Sequence, residues 1–180
     1  MNTHFGVEPW CEVAVDLFTS PLSGFRTAVC TTVECLPFAA RTFGAIICVG
    51  EVLAYCDPSR AIQEFARVAV PGGTLICDFP SSRGIRFWFK NPFGRAADMI
   101  TDQYNGSPEQ IWVYDPNYIS SLLESAGFGI HARFGTHTCS ALARKCGASL
   151  VISLRLERLF SEIKFLSYWA ELVTFVAYRL

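Results

Sequence analysis

The spacing of apolar and polar residues along the chain predicts alternating strands and helices. The run FGAIICVG, residues 43–50, is short, continuous and contains glycines near both ends, which is typical of a strand covered on both faces in a parallel sheet. After it, YCDPSRAIQEFARVAV places Ile62 and Phe65 at helical spacing behind an Asp-Pro start. TLICDF, residues 74–79, then predicts a second buried strand. This order makes one strand–helix–strand unit.

Three residues, Pro71, Gly72 and Gly73, separate that helix from the second strand. Proline cannot continue a helix, because it lacks the backbone N–H and its ring collides with the preceding turn. The two glycines permit the positive φ angles that let the chain reverse. A helix-ending proline followed by two glycines, placed between a helix and a buried strand, is typical of an α/β sheet.

The same pattern continues on both sides of the unit. Upstream, EVAVDLF, residues 12–18, predicts a short strand that ends at an acidic residue, and residues 27–38 contain another. Downstream, YDPNYISSLLESAGF predicts a second helix with its cap at Asp115 and its stop at Gly127. GFGIHARFGT and ELVTFVAYRL then predict strands, and most of residues 140–169 is predicted to be helical.

Residues 80–114 differ from this pattern, because they form a long irregular stretch that is rich in aromatic residues. Its aromatic side chains are Phe87, Trp88, Phe89, Phe93, Tyr104, Trp112 and Tyr114. A segment of this kind inside a compact domain is usually functional or a packed lid, so we predict an aromatic lid or a substrate insertion, with ordinary packing of a long loop as the alternative. No repeat or linker interrupts the sequence, and residues 1–180 are predicted to form a single domain.

Composition narrows the choice of partner. Hydrophobic residues make up 51% of the chain and charged residues 17%, which favours a folded domain over a disordered one. With 15 basic and 16 acidic residues, the net charge of -1 gives no basic surface for nucleic acid or an anionic membrane. The sequence shows no signal peptide and no apolar run long enough for a membrane span. We therefore expect a cytoplasmic protein whose partner is a small molecule.

The cysteines and histidines do not predict a disulfide framework or a metal site. The eight cysteines include no Cys-x-x-Cys pair, and several, such as Cys48 and Cys77, lie inside apolar runs. We expect reduced thiols that pack as small hydrophobic groups. The three histidines, His4, His131 and His137, are scattered, and their spacing does not support zinc binding.

Three segments in a fixed order carry a more specific signal: VECLPF at 33–38, FGAIICVGEVLAYCDPSRAIQEFARVAVPGG at 43–73, and YISSLLESAGFGI at 118–130. They resemble the class I S-adenosylmethionine-dependent methyltransferases of the small-molecule type. The resemblance covers about residues 12–130, and the final TFVAYR is similar to the family's closing strand. It implies a Rossmann-like methyltransferase sheet in a three-layer αβα arrangement. It also implies S-adenosylmethionine as cofactor and methyl transfer to a small, apolar metabolite.

The resemblance also implies cofactor contacts at six positions after predicted strands: Asp16, Leu17, Thr32, Val33, Val49 and Gly50. Asp16 would accept hydrogen bonds from the ribose hydroxyls, although an acidic residue can equally close a turn there. Thr32 and Val33 would line the adenine, although threonine is also an ordinary strand residue. Val49 and Gly50 follow a parallel strand at its carboxyl end, where ligands of open α/β sheets bind.

The chain then continues along the predicted rim of the sheet, which is the edge at the carboxyl ends of its strands. The next residues there are Glu51, Tyr55 and Asp57. Asp57 directly precedes the proline that opens the predicted helix. Its position therefore favours a helix cap over a ligand contact.

The chain departs from the family's pattern at three points. The Gly-rich turn D-x-G-x-G-x-G that follows the family's first strand does not occur. Thr32 stands where the family has an adenine-binding aspartate, and Gly44 replaces the acidic residue of F-D-x-V. Since VAVDL aligns best with the family's second strand, the central first strand and its helix have no counterpart, and the sheet is expected to be incomplete at the N-terminus. Two apolar edges would then need cover from residues 1–11, from a dimer or from a partner chain.

The sequence says little about catalysis. Methyl transfer from a sulfonium depends mainly on in-line positioning, with a general base only where the acceptor must lose a proton. His131 is the one candidate base, and a structural role in its strand fits as well. Two other readings stay open: a catalytically degenerate family member that serves as an interaction module, and a truncated fragment.

Overall fold

The computed structural model describes residues 12–25, 27–104, 106–137 and 166–180. In these ranges the strands are β1 Ala14–Asp16, β2 Ala28–Cys30, β3 Phe43–Cys48, β4 Ala69–Pro80, β5 Ala97–Tyr104, β6 Ser107–Tyr114, β7 Phe128–Thr136 and β8 Leu172–Arg179. The α-helices are α1 Thr19–Leu22, α2 Pro58–Val68 and α3 Pro116–Ser125. Short 3-10 turns cover Val52–Tyr55, Ile85–Phe87 and Leu166–Trp169. Each predicted strand and capped helix in the described ranges is confirmed, with small shifts at its ends.

The largest sheet has the strand order β3-β4-β8-β7. Strands β3 and β4 are parallel, whereas β8 runs antiparallel to both of its neighbours. Strands β1 and β2 form a separate parallel pair. Among the described strands, β1 therefore pairs only with β2 and β3 only with β4, so each has one edge without a strand. The expected absence of the family's first strand stays a prediction, because residues 1–11 lie outside the described part of the chain.

Both long helices begin as their sequences predict. The Asp57 carboxylate accepts a hydrogen bond from the Ser59 amide at 2.9 Å, and the Asp115 carboxylate accepts one from the Asn117 amide at 2.8 Å. In each case proline is the first helical residue, which suits its fixed φ angle. The apolar side of α2, including Ile62 and Phe65, is buried in the core. Asp57 is therefore a helix cap, as its position favoured.

The Pro-Gly-Gly segment forms a bulge at the start of β4. Strand β3 has a single residue between its paired positions Phe43 and Ala45, whereas β4 has residues 70–73 between the matching Ala69 and Thr74. Gly72 adopts a φ of +77°, as the predicted reversal requires. Gly73 is needed for a different reason, because a Cβ there would lie 2.8 Å from the backbone oxygen of Val70.

The expectation that β3 is covered on both faces is wrong. Ile46 and Cys48 pack on the core together with α2, but Ile47 on the other face is 69% exposed. The described helices explain the difference: α2 and α3 contact each other on the covered side, while the four-residue α1 packs against β1 and β2. Strand β3 is therefore covered on one face by the described residues.

Residues 97–114 are not irregular, which corrects the sequence-based description of the 80–114 segment. Strands β5 and β6 form an antiparallel hairpin in unbroken register from Ala97 opposite Tyr114 to Tyr104 opposite Ser107. The signal was present in the sequence, because Asn-Gly between two strand-forming runs favours a two-residue hairpin turn. Gly106 has the positive φ, +82°, that such a turn needs. The helix predicted within 140–169 lies mostly outside the described residues.

The cysteines of the described segments are free thiols. Cys48 and Cys77 are buried partners on β3 and β4, as predicted, whereas Cys30 and Cys35 are exposed and do not follow the expectation of burial. In the described ranges, no helix has both the length and the apolar character needed to cross a bilayer.

Candidate ligand site at the carboxyl ends of the parallel strands

Asp16 ends β1 and organises the turn that follows it. Its Oδ1 accepts a hydrogen bond from the Phe18 amide at 2.8 Å, and its backbone oxygen accepts one from the Thr31 amide at 3.0 Å. Among the described residues, the second carboxylate oxygen, Oδ2, accepts no hydrogen bond. Leu17 beside it is exposed. Asp16 thus closes a turn and still offers one oxygen to a ligand.

Thr32 and Val33 follow β2 at the same edge. The Thr32 hydroxyl accepts a hydrogen bond from the Glu34 amide at 3.3 Å, and Val33 is half-buried against the core. The carboxylate of Glu34 in turn accepts a hydrogen bond from the Asp57 amide. The turn after β2 is therefore joined to the N-terminus of α2.

Arg67 of α2 holds the rest of the loop between β2 and β3. Its guanidinium donates to the backbone oxygens of Phe38 at 2.7 Å and Leu36 at 2.9 Å, and Glu64 accepts from the Leu36 amide at 2.8 Å. Arg67 also donates to Glu64, and this hydrogen bond is the main cause that holds the pKa of Glu64 below its ordinary value. These contacts dock the β2–β3 loop on the helix that follows β3.

Asp78 at the end of β4 shapes the loop after β3. Its side chain is 7% exposed, and its two oxygens accept hydrogen bonds from the Gly50 amide at 3.0 Å and the Glu51 amide at 2.8 Å. Gly50 has a φ of +92° and Glu51 a φ of +63°, so two successive residues adopt left-handed backbone. No atom lies within 4 Å of a Cβ built on Gly50, and Val49 is 49% exposed. The loop therefore presents an open stretch of backbone at the rim of the sheet.

Glu51 has an unusual environment for an acidic residue. Partial burial raises the pKa of its carboxyl above the ordinary value, and the nearby charge of Asp78 raises it further, while Arg86 opposes the shift. A left-handed φ in a residue with a side chain is uncommon and is found more often at functional sites. Glu51 therefore combines a raised pKa with an uncommon backbone conformation, both of which occur at functional sites, although its position in the sequence indicated only a place along the rim.

A cavity of about 450 Å³ opens beside this rim. Its walls include two carboxylates and four aromatic rings: Glu34, Asp57, Tyr55, Trp112, Tyr114 and Tyr118. The Tyr55 hydroxyl donates a hydrogen bond to Glu109 on β6 at 3.0 Å, which joins the turn after β3 to the hairpin. The β5–β6 hairpin thus forms one wall of a cavity whose other walls come from the parallel-strand edge.

Burial and nearby charge raise the pKa of two groups in this cavity. The pKa of Cys56 is raised to about 12, first by burial and then by the carboxylates of Glu34 and Asp57. The pKa of Tyr114 is raised mainly by burial, with a further contribution from Cys56. Both groups are protonated near neutral pH, and neither is suited to act as a nucleophile or base there.

His131 lies away from the rim. It is exposed on β7, where its ring lies 5.3 Å from the ring of Tyr178. Tyr178 is paired with Thr74 of β4. Thr74 lies four residues, or about 13 Å, before Asp78 along that strand, so His131 is far from the rim at Asp78. The role of His131 as a base stays a prediction, and the structure does not bring it to the other candidate residues.

The residues at the rim suit the nucleoside half of S-adenosylmethionine. Asp16 has a carboxylate oxygen available for hydroxyl groups, and Gly50 has no side chain to block a ligand that approaches the backbone. In the described chain, no hydrogen bond joins Asp16 or Thr32 directly to the Val49–Gly50 loop. The two groups are instead linked through α2 and the loop that Arg67 holds.

Comparison with known protein families matches less than half of the chain. The model of a family described as "Methyltransferase domain" matches residues 7–77, which include all six predicted cofactor contacts. No curated protein sequence matches the chain.

Three solved structures extend the comparison to most of the fold. A protein from Listeria monocytogenes described as an S-adenosylmethionine dependent methyltransferase superimposes with a TM-score of 0.65 at 10% identity, over 93% of this chain and 79% of its own. Methyltransferases of the same description from Mesorhizobium loti and Clostridium acetobutylicum both give 0.59, at 13% and 15% identity. They are matched over 93% of this chain and over 79% and 74% of their own lengths. The predicted Rossmann-like methyltransferase fold is confirmed.

Proposed function

We propose that this chain is a class I S-adenosylmethionine-dependent methyltransferase and that it methylates a small molecule whose apolar part binds between the parallel-strand edge and the β5–β6 hairpin. The cofactor supplies an electrophilic methyl group on a sulfonium. The protein binds both reactants and aligns them, which is the main requirement of this chemistry. We further propose that the protein acts in the cytoplasm.

The residues that follow β1 and β2 and the loop that follows β3 have distinct roles in this proposal. Asp16 accepts hydrogen bonds from the ribose hydroxyls, and Thr32 and Val33 lie against the adenine. The loop at Val49 and Gly50 provides the close backbone approach, held in shape by Asp78. The aromatic rings of the cavity exclude water from the apolar part of the acceptor.

One observation carries the proposal: the predicted cofactor residues and the cavity share the same short segments. Val33 is followed directly by Glu34, which lines the cavity. Gly50 leads into the 3-10 turn Val52–Tyr55, whose Tyr55 also lines it. A ligand at the rim and a ligand in the cavity would therefore be near neighbours, as two reactants of a transfer reaction must be.

The test is thermal unfolding of the 180-residue chain with and without S-adenosylhomocysteine. A ligand that binds only the native state at about 100 times its dissociation constant adds about 2.7 kcal/mol, which is a shift of several degrees. Asp16→Asn should reduce the shift, because it removes the charge but keeps an oxygen for the Phe18 amide. Glu124→Gln, on the exposed surface of α3, is the matched control. A cooperative transition that does not move with ligand would contradict the proposal.

A second candidate function is an interaction module without catalysis. The exposed apolar side chains of Leu17, Phe18 and Ile47 favour it, together with the edges of β1 and β3 that pair with no described strand. Light scattering together with the melt separates the two functions. A dimer without a ligand shift supports the module, whereas a monomer that binds the ligand tightly excludes it.

A further inference from the structure

We propose that the cavity beneath the hairpin binds an organic ammonium ion, so that the acceptor carries a positive charge next to its apolar part. This inference rests on the proposed function, since it names the chemical class of the acceptor. It concerns how the acceptor is anchored and does not specify which of its atoms is methylated.

The aromatic rings form a continuous wall that suits a cation. The Trp112 and Tyr114 centroids are 6.5 Å apart with nearly parallel rings, and those of Tyr114 and Tyr118 are 6.3 Å apart. The faces of such rings carry partial negative charge and attract ammonium groups, most strongly where water is excluded. Trp112 is 37% exposed and Tyr55 is 52% exposed, so these two rings are the ones that a bound cation can reach, whereas Tyr114, at 2%, lies behind them.

Two carboxylates supply the matching charge. One oxygen of Glu34 accepts from the Asp57 amide, which leaves its second oxygen for a ligand. In Asp57, Oδ1 caps α2 and Oδ2 lies 3.8 Å from the Arg60 guanidinium, which is well exposed and neutralises that carboxylate only weakly. The described residues that line the cavity include no lysine, arginine or histidine. Among the described lining residues a bound cation therefore meets two carboxylates, of which Asp57 has the exposed Arg60 as a neighbour.

The alternatives fit the same walls less well. An anion would be repelled by both carboxylates, and their charge also raises the pKa of the Cys56 thiol. A purely apolar ligand would leave the two carboxylates facing a dry surface, which costs free energy. A cavity of about 450 Å³ is within the usual range for small molecules, so an amine with an aliphatic or aromatic body would fit.

The experiment compares two probes of the same shape. Choline carries a trimethylammonium group, and 3,3-dimethyl-1-butanol has a neutral tert-butyl group in its place. Binding to the intact chain is measured by saturation-transfer NMR and by the fluorescence of Trp112, with the Trp112→Phe variant to assign the signal. We expect choline to bind at least about tenfold more tightly than the neutral alcohol, because only the cation gains from the rings and the carboxylates.

Matched variants test the two contributions separately. Glu34→Gln keeps the oxygen that accepts from the Asp57 amide and removes the charge, and it should weaken choline binding by about threefold to tenfold. Trp112→Ala should weaken it by tenfold or more. Glu124→Gln and Phe89→Ala, both on exposed surface outside the cavity, should leave it unchanged. Thermal unfolding of each variant confirms that it is folded.

The outcomes separate this inference from the proposed function. Equal affinity for the two probes, or no effect of Glu34→Gln in a folded protein, overturns the ammonium site. If that happens while S-adenosylhomocysteine still raises the melting temperature, the methyltransferase proposal stands and the acceptor is not a cation. If choline is preferred but S-adenosylhomocysteine has no effect, the ammonium site is supported and the proposed reaction is not.

Discussion

The two parallel strand pairs carry similar predicted ligand contacts on very different supports. Strands β1 and β2 have three residues each and pair only with each other in the described chain. Strand β4, by contrast, has a strand on both sides and contributes Leu75 and Phe79, both fully buried, to the core. Asp16 therefore lies on a small unit fixed by side-chain contacts, whereas Gly50 lies on a loop tied directly to the main sheet by Asp78. The proposed cofactor site depends on how well these two supports stay aligned.

The largest expected effect comes from matched truncations in the two pairs. Phe79→Ala in β4 should cost about 3–5 kcal/mol of unfolding free energy, because it removes a fully buried ring that packs on Phe175. Val15→Ala in β1 should cost about 1 kcal/mol, because Val15 is only half-buried. Urea unfolding followed by circular dichroism measures both. Equal costs would show that the β1–β2 pair is as firmly built as the main sheet.

The next effect concerns the attachment of the smaller pair. Arg67→Ala removes the guanidinium that donates to the Leu36 and Phe38 backbone oxygens, and it should lower the free energy of unfolding. The loss should be local: hydrogen exchange at the Ala14 and Thr31 amides should speed up much more than exchange in β8. Arg60→Ala, at an exposed site on the same helix, is the control and should change stability by less than about 0.5 kcal/mol. Uniform acceleration across both sheets would mean that the two units do not open separately.

The smallest expected effect is a pH dependence of stability that comes from Glu51, in the loop that Asp78 ties to the main sheet. The folded pKa of Glu51 is raised, so its contribution to stability is complete below the unfolded pKa and is lost as the pH rises through the folded pKa. Glu51→Gln should therefore stabilise the protein above that window and have little effect below it, by less than about 1 kcal/mol because the site is partly open to water. Melting temperatures of both proteins from pH 4 to pH 8 measure this. If the difference in melting temperature between the two proteins is the same from pH 4 to pH 8, the titration of Glu51 does not cause it.

Local signals in the sequence were sufficient for much of the fold. Asp57 and Asp115 before prolines predicted both helix starts, because a cap depends on residues only two positions apart. Gly72 predicted a reversal for the same kind of local reason. The β5–β6 hairpin could also have been predicted from its Asn-Gly turn. The many aromatic residues around that turn favoured the interpretation of the segment as an irregular loop.

The candidate site depended on contacts that a single sequence does not show. Asp78 binds amides 27 and 28 positions earlier in the chain, and Arg67 binds carbonyls 29 and 31 positions earlier. The cavity is formed only when the hairpin packs over the turn that follows β3. Residue types at the ends of predicted strands indicated where a ligand could bind, but the fold determines which side chains hold that place in shape.

The construction of the cavity also has an evolutionary consequence. Its inner wall, Tyr114 and Tyr118, is continuous with the core, whereas Trp112 and Ala97 project from the hairpin near the surface. Substitutions at the two outer positions would alter the size and chemistry of the cavity at little cost in folding, because neither side chain belongs to the core. Selection could therefore change the preferred ligand through a few hairpin residues while the strands that carry the proposed cofactor contacts stay as they are.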